Sequence, residues 1–172
     1  RNAMTQQVRL GDFVGTQLEE NFLDFDLTEI QEVLLALREE SAIDLSHAEM
    51  LQQKSLRGAD ILSEYLGKIV KTIGYLEAKI NSTKNKVALE YVSLDGSRIT
   101  MEMRRFAGEA SPEVEELLIK LAKAKGSKSV LEKKYDIIIK SHHYHKDIAA
   151  GMRKSVLGYN IPNNEKVPQG WE

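Results

Sequence analysis

The sequence predicts a mainly α protein: a long antiparallel helical hairpin, coiled-coil-like, with a short β-hairpin or loop at its tip and a small N-terminal helix. Three observations carry this. From His47 to Tyr91 there is no proline, and Leu62, Leu66, Ile69, Ile73, Leu76, Ile80, Thr83 and Val87 recur at alternating steps of four and three. The same rhythm returns in Leu117, Leu121, Ala124, Lys128, Leu131, Tyr135, Ile138, His142, His145, Ala149, Met152 and Val156. Between these runs the chain changes character around Asp95-Gly96, a strong tight-turn signal. A spacing that averages 3.5 residues is the period of a helix that supercoils against a neighbour. Two seams of similar length joined by a connection of about twenty residues require an antiparallel helical hairpin or an equivalent pairing between subunits. At ~1.5 Å per residue, about 45 residues make a rod on the order of 68 Å long.

Composition agrees. Apolar residues make up 42% and charged residues 29%, while aromatics reach only 6%, which fits a helix-rich chain with a narrow core. The absence of cysteine excludes structural disulfides, thiolate metal sites and thiol catalysis. No apolar run approaches the ~20 residues of a membrane span and no signal peptide is visible, so the expected compartment is the cytoplasm, with no membrane partner.

Read in order, the chain divides into four parts. Residues 1–3 ahead of Met4 look like a cloning scar. Residues 4–45 form an acidic N-terminal arm, with three basic against ten acidic residues before His47. Within it, Thr28 and Gln31 have capping-box spacing, and Ile30, Val33, Leu34 and Leu37 share one helical face opposite Glu29, Glu32, Glu39 and Glu40. This amphipathic helix is a strap on the rods, or an acidic arm that docks a basic partner or competes with a polyanion for the body's own basic face. Residues 46–158 are the two-rod hairpin. Gly58, Gly67 and Gly74 interrupt the first rod; Gly67 and Gly74, seven apart and just after seam positions, either admit a second backbone or are tolerated costs. At the tip, Tyr91–Leu94 and Ser97–Met101 flank Asp95-Gly96 and favour two short strands; the alternative is a helix running to Leu94 and then a loop. Ser111-Pro112-Glu113 restarts a helix with an N-cap serine, a first-turn proline and acids at the positive end of the dipole. Residues 159–172 carry Pro162, Pro168 and Gly170 without periodicity and form a tail that ends near the single tryptophan, Trp171.

Catalytic signals are absent. Neither G-x-G-x-x-G nor G-x-x-x-x-G-K occurs, nor H-E-x-x-H, nor G-x-S-x-G. A two-rod hairpin also offers little concavity to exclude water from a reaction. The expectation is therefore a protein without enzymatic activity or cofactor. His142 and His145 are three apart and share a helical face, so they could jointly face a metal ion. They also fall on the seam, where a satisfied core histidine, or a pH-sensitive polar layer, is the plainer reading.

Net charge is only −2, but it is unevenly spread: Lys120 to Lys154 holds ten basic against three acidic residues. Lys120, Lys123, Lys128, Lys134, Lys140, Lys146, Arg153 and Lys154 recur along the second rod, and Lys84 and Lys86 lie near the end of the first. Such a row can track a phosphate backbone without reading sequence, or can simply be a solvated face. Arg104-Arg105-Phe106 adds two charges and an aromatic beside the turn, the combination that holds a single strand by phosphate contact and base stacking.

This layout resembles the recombination mediator family of T4-like bacteriophages. The resemblance covers His47 to Tyr159: a long helix ending in Lys86-Val87-Ala88-Leu89, then Tyr91, the turn at Asp95-Gly96, a charged connection, and a last long helix with Met152-Arg153-Lys154-Ser155 near its end. It implies a small homo-oligomer in the host cytoplasm that binds single-stranded DNA, a RecA-like recombinase and the single-strand-binding protein, and helps to load the recombinase. The family's basic residues precede an aromatic pair; here Lys84 and Lys86 hold that place, Tyr91 stands for the pair and Glu90 occupies a position where a base would be expected. The competing expectation is a structural or assembly coiled-coil protein, a virion component or chaperone whose lysines keep it soluble.

Overall fold

The computed structural model describes Arg9, Leu23, residues 25–93, Gly96 and residues 98–159, with side chains up to Val156. The cloning scar, the tail from residue 160 with Trp171, and Leu94, Asp95 and Ser97 of the expected hairpin lie outside the described residues. The chain is mainly helical, in the order α1 (Thr28–Glu39), α2 (Leu45–Glu90), α3 (Met101–Glu109) and α4 (Pro112–Tyr159).

Capping chemistry fixes where the helices begin. Asp44, in extended backbone, accepts the His47 amide at 2.8 Å and starts α2. Such a cap contributes about 1 kcal/mol. The 46 residues of α2 then run without a break for about 69 Å. α4 starts where the Ser111 carbonyl accepts the amides of Val114 and Glu115, both at 3.0 Å. Pro112 sits where its missing N–H costs nothing, and Glu113 and Glu115 face the positive helix end. α1 opens differently from the expected capping box. Asp26 accepts from both the amide and the hydroxyl of Thr28, so the carboxylate before the helix does the capping and Thr28 is its first residue.

α2 and α4 pack side by side in opposite directions. Glu77 meets Lys125 at 2.9 Å near one end and Glu49 meets Arg153 near the other, a register only an antiparallel pair can have. Between them Leu62, Ile69, Leu76 and Ile80 are buried in one cluster with Leu117, Ala124, Leu131 and Ile138. A fully buried leucine or isoleucine contributes roughly 1.5–3 kcal/mol, so this seam is the main source of stability. Its second strip departs from the expected residues in two places. Ser127 is buried beside a half-buried Lys128, whose ammonium reaches Glu132 at 3.4 Å, and Val156 is exposed at the end of the packing.

The seam shifts face partway along α2. From Ala48 the buried positions are Leu51, Ser55, Ala59 and Leu62, with two successive steps of four that relax the supercoil, and Gly58 is buried beside Ala59. α1 lies across this point. A Cβ on Gly58 would come within 3.1 Å of Ile138 Cδ1 and 3.2 Å of Val33 Cγ1, so one α2 position touches both α1 and α4. Leu23, Leu27, Ile30 and Val33 are buried here, Phe25 stacks on Tyr65 at 4.5 Å between centroids, and Glu29 pairs with Arg57.

The tip corrects the expected β-hairpin. Among the described residues of Tyr91–Thr100 there is no strand; the backbone is irregular, with Gly96 at φ 74°. The one β feature described is an isolated antiparallel bridge between Arg9 and Asp26. An isolated two-stranded hairpin is marginal in water. Here Met101, assigned to a strand by the sequence reading, begins α3. Thr100 accepts the Met103 amide at 3.2 Å, Glu102 follows in the first turn, and no proline or β-branched residue interrupts the run to Glu109. Among the described residues no helix is long and apolar enough to cross a membrane.

Candidate nucleic-acid interface

The tip is built by α3 folding back on the last turns of α2. Gly108 is buried and rests on the backbone carbonyl of Lys84. Met101, Arg104 and Arg105 share the helical face of Gly108, and beside that contact lies an open groove of about 660 Å³ lined by Lys84, Asn85, Ala88, Leu89, Met101, Glu102, Arg104, Arg105 and Glu109. Three predicted cations, Lys84, Arg104 and Arg105, are thereby brought into one groove although twenty residues separate the first two. Leu89 and Met101 border it with apolar surface and are 75% and 85% exposed. Phe106 is 60% exposed on the outer side of α3, with the Arg105 guanidinium 5.7 Å from its ring centre. Arg105 is only loosely held by Glu109, at 4.0 Å. Charge of both signs, with Glu102 and Glu109 beside the three cations, exposed apolar side chains and an aromatic face therefore share one end of the molecule.

Lys86 is exposed two residues further along α2 and does not line the groove. The remaining predicted cations are not gathered there. In the seven-residue register of α4, Lys120 and Lys134 flank one side of the seam, Lys146 and Arg153 the other, Lys140 and Lys154 the back, and Lys123 lies between back and flank. The positive charge thus wraps α4 instead of forming one row. Much of it is met by carboxylates: Lys120 pairs with Glu116 at 2.9 Å, Lys128 with Glu132, and Arg153 with Glu49. The hydrogen bond from Lys120, then its charge, holds the Glu116 carboxyl below its usual range. Lys134 is half-buried, and desolvation pulls its ammonium below the usual lysine value.

The histidines behave as seam residues. His145 is 2% exposed, and its Nδ1 and that of His142 are buried without a hydrogen-bond partner. Burial, and secondarily the charge of His47, holds His145 below the ordinary imidazole value. Among the described residues no group of three or more histidine or carboxylate side chains comes together as a metal site.

Two features of the tip escaped the sequence reading. α3 was signalled by Thr100 followed by Glu102, a cap and first-turn acid, but the Asp-Gly turn and its β-branched flanks outweighed them. Gly108 had no local signal, because its role depends on a carbonyl twenty-four residues away. No family model matches the chain, and no curated protein or solved structure matches it either.

Proposed function

We propose that this protein is a non-enzymatic, single-stranded DNA-binding accessory of recombination, a mediator that helps to load a RecA-like recombinase, and that the tip groove takes the phosphate backbone. The observation that carries the reading is the convergence of Lys84, Arg104 and Arg105 around one groove beside the open ring of Phe106. Cations engage phosphates without reading sequence, and an exposed ring offers a stacking face that any base can use. Three phosphate contacts give a salt slope of about −2 for a single strand, so one groove binds weakly. A homo-oligomer would present several grooves to one strand and convert weak contacts into useful affinity. The resemblance to phage recombination mediators supplies the partners, a recombinase and a single-strand-binding protein, and a host-cytoplasmic setting.

The second reading is an assembly rod with no nucleic-acid role. The pairing of Lys120, Lys125, Lys128 and Arg153 with glutamates favours it, because a rod whose cations are met by its own acids has less charge to offer a polyanion. Fluorescence anisotropy of a labelled oligothymidine at ~50 and ~200 mM salt separates the two. The mediator reading expects binding at the lower salt that falls with the slope above. Absence of binding at the lower salt overturns it.

A further inference from the structure

The two ends of the α2–α4 seam differ in kind. Toward the tip it is aliphatic, with Ile69, Leu76, Ile80, Leu117 and Leu131. Toward the open end Leu51 is the one large aliphatic residue fully buried, and around it the buried positions are small or polar: Ala48, Ser55 and Gly58 on α2, His145 and Ala149 on α4. Dispersion and burial hold this end less firmly, so a polar event there has more leverage.

His145 is the largest buried polar side chain in that end, and the neutral ring fits it. Nδ1 meets no partner, and the contact from α2 nearby is Gln52, whose amide donates to the His145 carbonyl at 3.3 Å, not to the ring. The charged and titratable groups around it are already committed. His47, in the first turn of α2, has Nε2 3.0 Å from the Glu40 carboxylate at the end of α1, and its Nδ1 accepts the Ile43 amide at 3.4 Å. Lys54 acts on the same Glu40, Glu49 is paired with Arg153, and His142, one turn away on α4, has its own unpartnered Nδ1. A proton on His145 would therefore enter the seam with no free carboxylate to meet it.

We propose that the buried His145 is an acid-sensitive latch: protonation releases the last turns of α4 from the start of α2, while the tip end of the hairpin stays closed. Burial first, and the charge of His47 second, hold His145 below the ordinary imidazole value of 6.5. The open form regains that ordinary value and binds protons more readily than the closed one. Closure is thus fully favoured above pH 6.5 and is lost progressively as pH falls from there toward the lowered value.

Amide hydrogen exchange of the full chain at pH 7.5 and 5.5, corrected for intrinsic rates, tests this. Protection in Leu45–Ser55 and His142–Val156 is expected to fall severalfold more than in Leu76–Ile80 and Val114–Leu121. His145→Leu, which fills the seam with an apolar side chain, is expected to remove most of that difference. A uniform loss at both ends, or an undiminished loss in His145→Leu, overturns the proposal. If that variant does not fold, the imidazole of His145 in the unsubstituted chain can be titrated by NMR. A midpoint depressed below that of a free histidine supports the latch, and an ordinary midpoint with the hairpin closed overturns it.

Discussion

Gly108 sits on the backbone carbonyl of Lys84, so close that a Cβ on Gly108 would stand 2.6 Å from that oxygen. The obstacle is main chain inside α2, held in the helical hydrogen-bond ladder, and it cannot rotate away as a side chain would. Gly108→Ala must therefore lift α3 off α2. Overpacking of this kind costs typically 1–3 kcal/mol, and the lift also moves Met101, Arg104 and Arg105 relative to Lys84. Gly67→Ala is the matching control, because nothing lies within 4 Å of its Cβ. In a helix interior that exchange stabilises by up to ~1 kcal/mol. Urea unfolding followed by circular dichroism should move the two midpoints in opposite directions.

At Gly58 the same argument gives a smaller effect. The Cβ of Gly58→Ala would meet Ile138 Cδ1 at 3.1 Å and Val33 Cγ1 at 3.2 Å, both side-chain methyls that can give a few tenths of an ångström. Helix propensity gains up to ~1 kcal/mol and offsets that strain. The net change for alanine should be small, whereas Gly58→Val should cost ~1–3 kcal/mol by overpacking. Removing one obstructing methyl with Ile138→Val should relieve Gly58→Val by more than the two single changes predict. Additivity in that double-mutant cycle would mean the three helices do not meet at this point.

Much of the frame was legible because it rests on local chemistry repeated many times. Leu62 to Val87 and Leu117 to Met152 write the seam directly into sequence spacing, and each of those residues is buried or half-buried. The tip was not legible for the opposite reason. Asp95-Gly96 is a valid turn signal, but whether strands or helices flank a turn depends on what they can pack against. For α3 part of that packing is the close seat of Gly108 on the Lys84 carbonyl. Among the cations, sequence could find Lys84, Arg104 and Arg105 but could not gather them, since their convergence depends on α3 folding back. Nor could it see that Glu116, Glu132 and Glu49 would meet Lys120, Lys128 and Arg153.

Stability should be concentrated in the seam and nearly absent from the ion pairs that border it. Leu131 is fully buried, and Leu131→Ala removes its contacts and leaves a cavity, for a cost of about 2–5 kcal/mol. Glu77 and Lys125 are both exposed, and such a pair contributes ~0–1 kcal/mol. Glu77→Gln should therefore shift the unfolding midpoint little, and less still in high salt. A large loss in Glu77→Gln would mean that the cross-helix register is held by charge and not by packing.

The functional reading stands or falls on the difference between gathered and scattered cations. Lys84→Gln and Arg104→Gln each remove one groove cation without reversing its sign or adding bulk. Each should weaken oligothymidine binding and reduce the magnitude of the salt slope by about 0.7, the value for one lost single-strand phosphate contact. Lys140→Gln and Lys154→Gln change charge on the back of α4 by the same amount and should leave the slope nearly unaltered. Phe106→Leu keeps apolar bulk but removes the ring, so it should weaken binding at all salt concentrations, by about 1–3 kcal/mol for one lost base stack, without changing the slope. If all four charge variants reduce binding equally, the protein attracts DNA as a diffuse polycation along α4, and the tip groove is not its site. If none does, the paired lysines belong to a rod that has no nucleic-acid partner, and the exposed Leu89 and Met101 need another explanation.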